Sequence, residues 1–151
     1  KDKFDEKFKR IKGADLDSYS MNQWIDNKQV ITSLDLAKRD QVLPGLKQAR
    51  WDLVIVDEAH RMSWTPPSRK TARYALGELL RDTSDHILFL TATPHKGDPT
   101  NFSLFLQLLD ADAYADVCSI HEAMNRRRAP FYLRRTKEAM IYFPERLPDG
   151  T

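Results

Sequence analysis

The chain has 151 residues, 41% of them hydrophobic, and a formal net charge of +2. That length and apolar content suit one domain with a core, and so small a charge does not argue for nucleic acid by itself. No apolar run approaches a membrane span, the amino-terminal residues are charged rather than signal-like, and the single cysteine, Cys118, excludes an internal disulfide and a cysteine-cluster metal site.

Along the chain, residues 1–12 interleave Lys and Arg with Asp2, Asp5 and Glu6, the pattern of a solvated helical face with Phe4, Phe8 and Ile11 turned inward. Residues 16–26 form a polar connection anchored by Trp24. Residues 28–32 read as a strand, and 34–43 as a helix halted near Pro44-Gly45. Leu53-Val54-Ile55-Val56 is an uninterrupted apolar run, the mark of a strand buried on both faces of a parallel sheet. A loop at 62–67 follows, then a helix at 68–81 with Ala72, Ala75, Leu76, Leu79 and Leu80 on its inner side. A second apolar strand, 87–90, is stopped by Pro94. Strands alternating with helices imply an α/β fold with right-handed parallel crossovers.

Chemistry gathers where the two apolar strands end. The first runs into Asp57-Glu58-Ala59-His60, and ligands of open α/β sheets bind at the carboxyl edge of the strands. An acid at that edge holds the magnesium of a nucleotide in phosphate-loop NTPases, which makes Asp57 the metal candidate and Glu58 the water-orienting base. The plainer alternative is that both acids cap the next helix. The second strand runs into Thr91-Ala92-Thr93-Pro94, two hydroxyls at the same edge as the acids. They are able to donate to a phosphate or a carboxylate; ordinary β-propensity followed by a turn is the alternative. The spacing of Glu58 and His60 does not match a zinc protease, which needs two histidines a helical turn apart.

With these motifs the chain resembles the superfamily 2 helicases, and within them the Swi/Snf-type ATPases. Residues 51–61 look like motif II of that family and 90–94 like motif III. Val30-Ile31-Thr32-Ser33-Leu34-Asp35 is similar to motif Ib, residues 101–110 to the apolar helix after motif III, and 131–137 to the Leu-Arg-Arg-Thr-Lys signature. The similarity runs from about residue 4 to residue 146. It implies the carboxyl-terminal part of a first RecA-like lobe over residues 1–151, with a parallel sheet flanked by helices and without the Walker A strand and loop. Five glycines are present and none is followed by Lys, so no phosphate-cradling Gly-Lys-Ser/Thr loop occurs.

The resemblance further implies ATP and Mg2+ as cofactors of the full-length protein, DNA as partner with duplex favoured, a second helicase lobe in cis that supplies arginine fingers, and a cytoplasmic, bacterial or archaeal setting. In that frame Asp57 holds magnesium through water, Glu58 orients the attacking water, and His60, Thr91 and Thr93 couple hydrolysis to movement. Thr32 and Ser33 touch a phosphate backbone. Arg134 and Arg135 act on nucleic acid or brace the lobes, within a segment, 126–137, that has six basic residues and no acid. For Arg126 to Arg128 an offset helix dipole is an equal reading. The stretch His95-Lys96-Gly97-Asp98 departs from the remodellers' Gln-Asn-type residues and resembles bacterial and archaeal relatives. The expected activity is ATP-driven translocation on duplex DNA, with this chain inactive alone. A strand-separating helicase of the Asp-Glu-Ala-His type and a degenerate, non-hydrolysing binding module are the alternatives.

Overall fold

The computed structural model describes residues 7–17, 22–93 and 99–111. All of them belong to one unit, Lys1–Val117. Cys118, His121, Arg126 to Arg128, Arg134 and Arg135, and the stretch from Pro94 to Asp98, lie outside the described residues.

The described architecture is α/β, with two small parallel sheets and helices between their strands. Strand β1 (Lys9–Arg10) pairs in parallel with β2 (Val30–Ile31), Lys9 opposite Val30 and Arg10 opposite Ile31. Of the amphipathic helix expected over residues 1–12, the described part, 7–12, is not helical and carries a strand at 9–10 instead. Backbone bonds from Lys9 N–H to Gln29 O (2.8 Å) and from Ile11 N–H to Ile31 O (3.0 Å) outweigh a modest local preference for helix. Ile11 is buried as expected, whereas Phe8 is exposed.

Between these strands, α1 (Gln23–Asp26) starts at Asn22, whose side chain accepts from Trp24 N–H at 3.2 Å. Trp24 is buried, as expected of an anchor, and faces Gly45: a Cβ there would come within 2.9 Å of the indole. The helix expected over 34–43 is split. Helix α2 (Leu34–Ala37) is capped by Ser33, and α3 (Leu43–Gln48) begins with Pro44 in its first turn. Pro44 and Gly45 start a helix instead of halting one, because a first-turn proline loses no hydrogen bond that the turn would have made.

Strand β3 (Trp51–Val56) pairs in parallel with β4 (Ser84–Phe89), with Leu53 opposite His86 and Val56 opposite Phe89. Helix α4 (Ala72–Thr83) makes the crossover, its amino end capped by Thr71. Its buried side is Tyr74, Leu76, Gly77, Leu80 and Thr83, rotated from the face predicted through Ala72, which is exposed. Gly77 admits Leu108 closely: a Cβ at 77 would lie 2.8 Å from its Cδ1. Helix α5 (Pro99–Gln107) sends Phe105 against Phe89 in a stacked pair with centroids 5.3 Å apart.

One expectation fails here. Strand β3 is not buried on both faces, for Leu53 and Ile55 are 53% and 56% exposed, and Leu88 and Leu90 beside them are 46% and 45% exposed. The helices cover the face bearing Val56 and Phe89. Alternation along a strand leaves the other face open, His86 included.

Candidate functional site

The site forms where β3 and β4 end. Leu90 N–H donates to Val56 O at 2.9 Å, and Ala59 N–H donates to Leu90 O at 3.0 Å. The ladder thus continues past both strands but skips two residues, Asp57 and Glu58, which project as an exposed turn. Glu58 has φ 50° and ψ 41°, and among the described residues it is the non-glycine residue with a positive φ. Left-handed backbone costs an ordinary side chain roughly 1–2 kcal/mol. Strain of this kind persists where the surrounding structure over-determines it, and it clusters at working sites. The helix-cap alternative for the acids fails in part. The short 3-10 turn Ala59–Met62 that follows receives no side-chain cap from Glu58, while Asp57 Oδ1 accepts its neighbour's N–H, at 2.9 Å.

From this turn His60 reaches back. Its Nδ1 lies 3.2 Å from Glu58 Oε2 and 3.1 Å from Thr91 Oγ1. A carboxylate cannot donate, so the arrangement is satisfied when Nδ1 carries the proton and donates toward Glu58, with the Thr91 oxygen sharing it. Thr91 Oγ1 also accepts the N–H of Thr93 at 3.1 Å. A continuous polar chain therefore runs from Glu58 through His60 to Thr91 and the backbone of Thr93. The two threonines expected to act together are distinguished: Thr91 meets His60 by its side chain, and Thr93 enters through its N–H.

The donor set suits magnesium held mainly by a nucleotide. Among the described residues no cluster of three or more His, Cys, Asp or Glu able to hold a metal occurs. Magnesium is ordinarily bound by one or two carboxylates together with substrate phosphates and water. An exposed Asp57 with one carboxylate oxygen engaged by the Glu58 amide fits that role.

Thr32 and Ser33 lie at the end of β2, the other sheet. Thr32 Oγ1 donates to Ile11 O at 3.2 Å, so its proton is committed to tying the two strands. Ser33 Oγ accepts from Leu36 N–H at 3.2 Å, and among the described residues no acceptor takes its hydroxyl proton, which suits it to a phosphate oxygen. Ser33 borders an open cavity of about 210 Å³ with Arg10, Lys12 and Arg39 on its walls.

Four residues were not anticipated as a group. Asp35 is 2.7 Å from Arg73 and 3.5 Å from Arg61, and it also meets Lys38 at 3.0 Å. The hydrogen bond from Arg73 first, and that from Lys38 after it, hold its carboxyl well below the usual carboxylate range. Nothing in the sequence joins residues 26 and 38 positions apart. Farther along, Asn101 Nδ2 donates to Trp64 O (3.1 Å) and Thr65 Oγ1 (2.8 Å), pinning the loop after the acids to α5.

A family model described as "SNF2-related domain" matches residues 13–146. The RNA polymerase-associated protein RapA of Yersinia pestis (strain Pestoides F) is 42% identical over 101 residues, 64% of this chain. That of Yersinia enterocolitica serotype O:8 / biotype 1B is 41% identical over the same length. The matched stretch amounts to 10% of either relative, so the chain spans a small part of such proteins. The fold is that of a partial RecA-like lobe, and the chain belongs to the SNF2-related domain family.

Proposed function

We propose that residues 1–151 are the carboxyl-terminal part of the first helicase lobe of an ATP-driven translocase on duplex DNA. The observation that carries this reading is the chain from Glu58 through His60 to Thr91, at 3.2 and 3.1 Å. It links an acid suited to orienting water with the end of the neighbouring strand. A base held that way is positioned by the same hydrogen bonds that report on the strand.

In this reading Asp57 holds magnesium through water, and ATP with its magnesium supplies the scissile phosphoanhydride. Glu58 orients the attacking water and draws its proton. His60 fixes the Glu58 carboxylate, and Thr91 carries changes at the nucleotide into β4, with Thr93 following through its backbone. Ser33 donates to a backbone phosphate, and Arg10, Lys12 and Arg39 give its surroundings the charge that phosphate contacts require. Thr32 supports Ser33 by holding the strand end. Arg134 and Arg135 are assigned to nucleic acid or to a brace between lobes on the strength of the motif alone. The phosphate loop and the second lobe belong to other parts of the full-length protein. The bacterial relatives favour a cytoplasmic setting.

The test is ATP hydrolysis by the full-length protein with blunt duplex or single-stranded DNA at one stated salt concentration. Greater stimulation by duplex without strand release supports the translocase. Efficient unwinding of a tailed duplex would establish the strand-separating helicase instead, and no hydrolysis under any condition would leave a binding module.

A further inference from the structure

Asp35 follows Ser33 by two residues, and its carboxylate meets cations from three elements. Oδ1 accepts from Arg73 of α4 at 2.7 Å and stands 3.0 Å from Lys38 Nζ. Oδ2 stands 3.5 Å from Arg61, the residue directly after His60. The same side chain sits at the rim of the cavity that Ser33, Arg10, Lys12 and Arg39 border.

Such a cluster supplies little stability. The Asp35 side chain is 54% exposed, and Arg61 and Arg73 are 44% and 32% exposed. Exposed ion pairs contribute little, because water screens them and long side chains lose freedom in forming them. Position is a different matter. Arg61 lies on the turn Ala59–Met62, whose first residue is bonded to Leu90 and whose second is bonded to Glu58 and Thr91. A pull on Arg61 is therefore a pull on the segment that aims Glu58.

We propose that Asp35 is a positioning residue that conveys occupancy of the Ser33 cavity to the Glu58–His60–Thr91 chain through Arg61. The proposal rests on the nucleic-acid-dependent reading above. A phosphodiester beside Ser33 brings negative charge next to the Asp35 carboxylate and competes for the cations around it. Lys38 and Arg73 remain on Oδ1, while the longer contact from Oδ2 to Arg61 is the one that readily changes. Asp35 opposes the phosphate electrostatically and at the same time reports its arrival. Affinity and stimulation should thus move in opposite directions when that charge is removed.

The experiment follows ATP hydrolysis by the full-length protein against duplex DNA concentration at fixed salt, for wild type, Asp35→Asn, Arg61→Gln and the double variant. Asp35→Asn should keep basal hydrolysis and lower maximal stimulation about fivefold or more, the scale of a typical coupling free energy. The DNA concentration giving half-maximal stimulation should fall or hold, since a repelling charge has left the cavity rim. Arg61→Gln should lose the same stimulation, and the double variant no more than either single one, as for two residues acting through one contact. Asp35→Glu, which keeps the charge, should recover part of the loss. A structural defect would instead lower basal and stimulated rates together. Full stimulation of Asp35→Asn, or single losses that multiply in the double variant, overturns the proposal while leaving the translocase reading intact. A wild-type enzyme insensitive to any nucleic acid removes both.

Discussion

Ala59 N–H donates to Leu90 O at 3.0 Å, and this bond carries the pairing of the two motifs beyond the ends of their strands. It closes the ladder beyond Asp57 and Glu58, so that both acids are displaced from the sheet edge as a turn with Thr91 beside them. Neither strand alone would hold Glu58 in a left-handed conformation.

Glu58 is where chemistry and backbone strain separate experimentally. In the full-length protein Glu58→Gln should leave nucleotide binding intact and lower hydrolysis by about 10²–10⁴-fold, the usual worth of a positioned general base. Glu58→Gly should be equally inactive but no less stable, because glycine relieves the left-handed backbone. Wild-type turnover in Glu58→Gln, with thermal unfolding recorded alongside, would reduce the residue to a turn former.

Thr91→Val and Thr93→Val should behave differently, although the sequence presents the two as a pair. Valine keeps the β-branch and volume of threonine. Thr91→Val loses the bonds to His60 and to Thr93 N–H, and DNA stimulation should fall more than basal hydrolysis. Thr93→Val keeps its N–H and should stay nearer wild type. Rates with and without duplex DNA decide this, and equal stimulation of wild type and Thr91→Val would remove the coupling role.

The Asp35 carboxyl should titrate below the ordinary carboxylate range, chiefly because of Arg73. A depressed folded-state pKa means that the stabilisation is present above the unfolded value, about pH 4 for Asp, and is lost as pH falls through the lower folded value. Arg73→Gln should shift the midpoint of Asp35 upward, read from the carboxyl carbon resonance over an acid titration. An unmoved midpoint would mean that the contact is not held in solution.

The isolated chain should bind ATP negligibly, since backbone amides and a lysine supply most of the grip on a triphosphate and this chain carries no such loop. Micromolar binding by calorimetry would contradict that. Its open sheet face of Leu53, Ile55, Leu88 and Leu90 should also make it self-associate. Light scattering should fall when Ile55 and Leu88 are both replaced by Thr.

Much of the site was legible in the chain because its signals are local. The apolar run before Asp57, the run before Thr91 and the amphipathic stretch between them each report a short-range periodicity, and together they imply parallel strands whose ends meet. Trp24 as an anchor was equally readable. Boundaries were not. Pro44 reads as a terminator from composition and begins a helix in fact, since only its place in the turn decides whether a missing N–H matters. Residues 9 and 10 have the composition of a solvated helix and form a strand because Gln29 and Ile31 offer them partners.

The sequence by itself determined the α/β class and the place of Asp57 and Glu58 at the end of an apolar run, which follow from residue type and spacing, while the motif assignments rest on the resemblance to the Swi/Snf-type ATPases. Tertiary structure alone decided that Glu58 is strained, that Thr91 rather than the Thr93 side chain meets His60, that the Thr32 hydroxyl donates to Ile11 O while Ser33 Oγ accepts from Leu36 N–H, and that Asp35 gathers Arg61 and Arg73. Each of these depends on distances between residues far apart in the chain, which hydrogen bonding and packing fix only when the strands have paired.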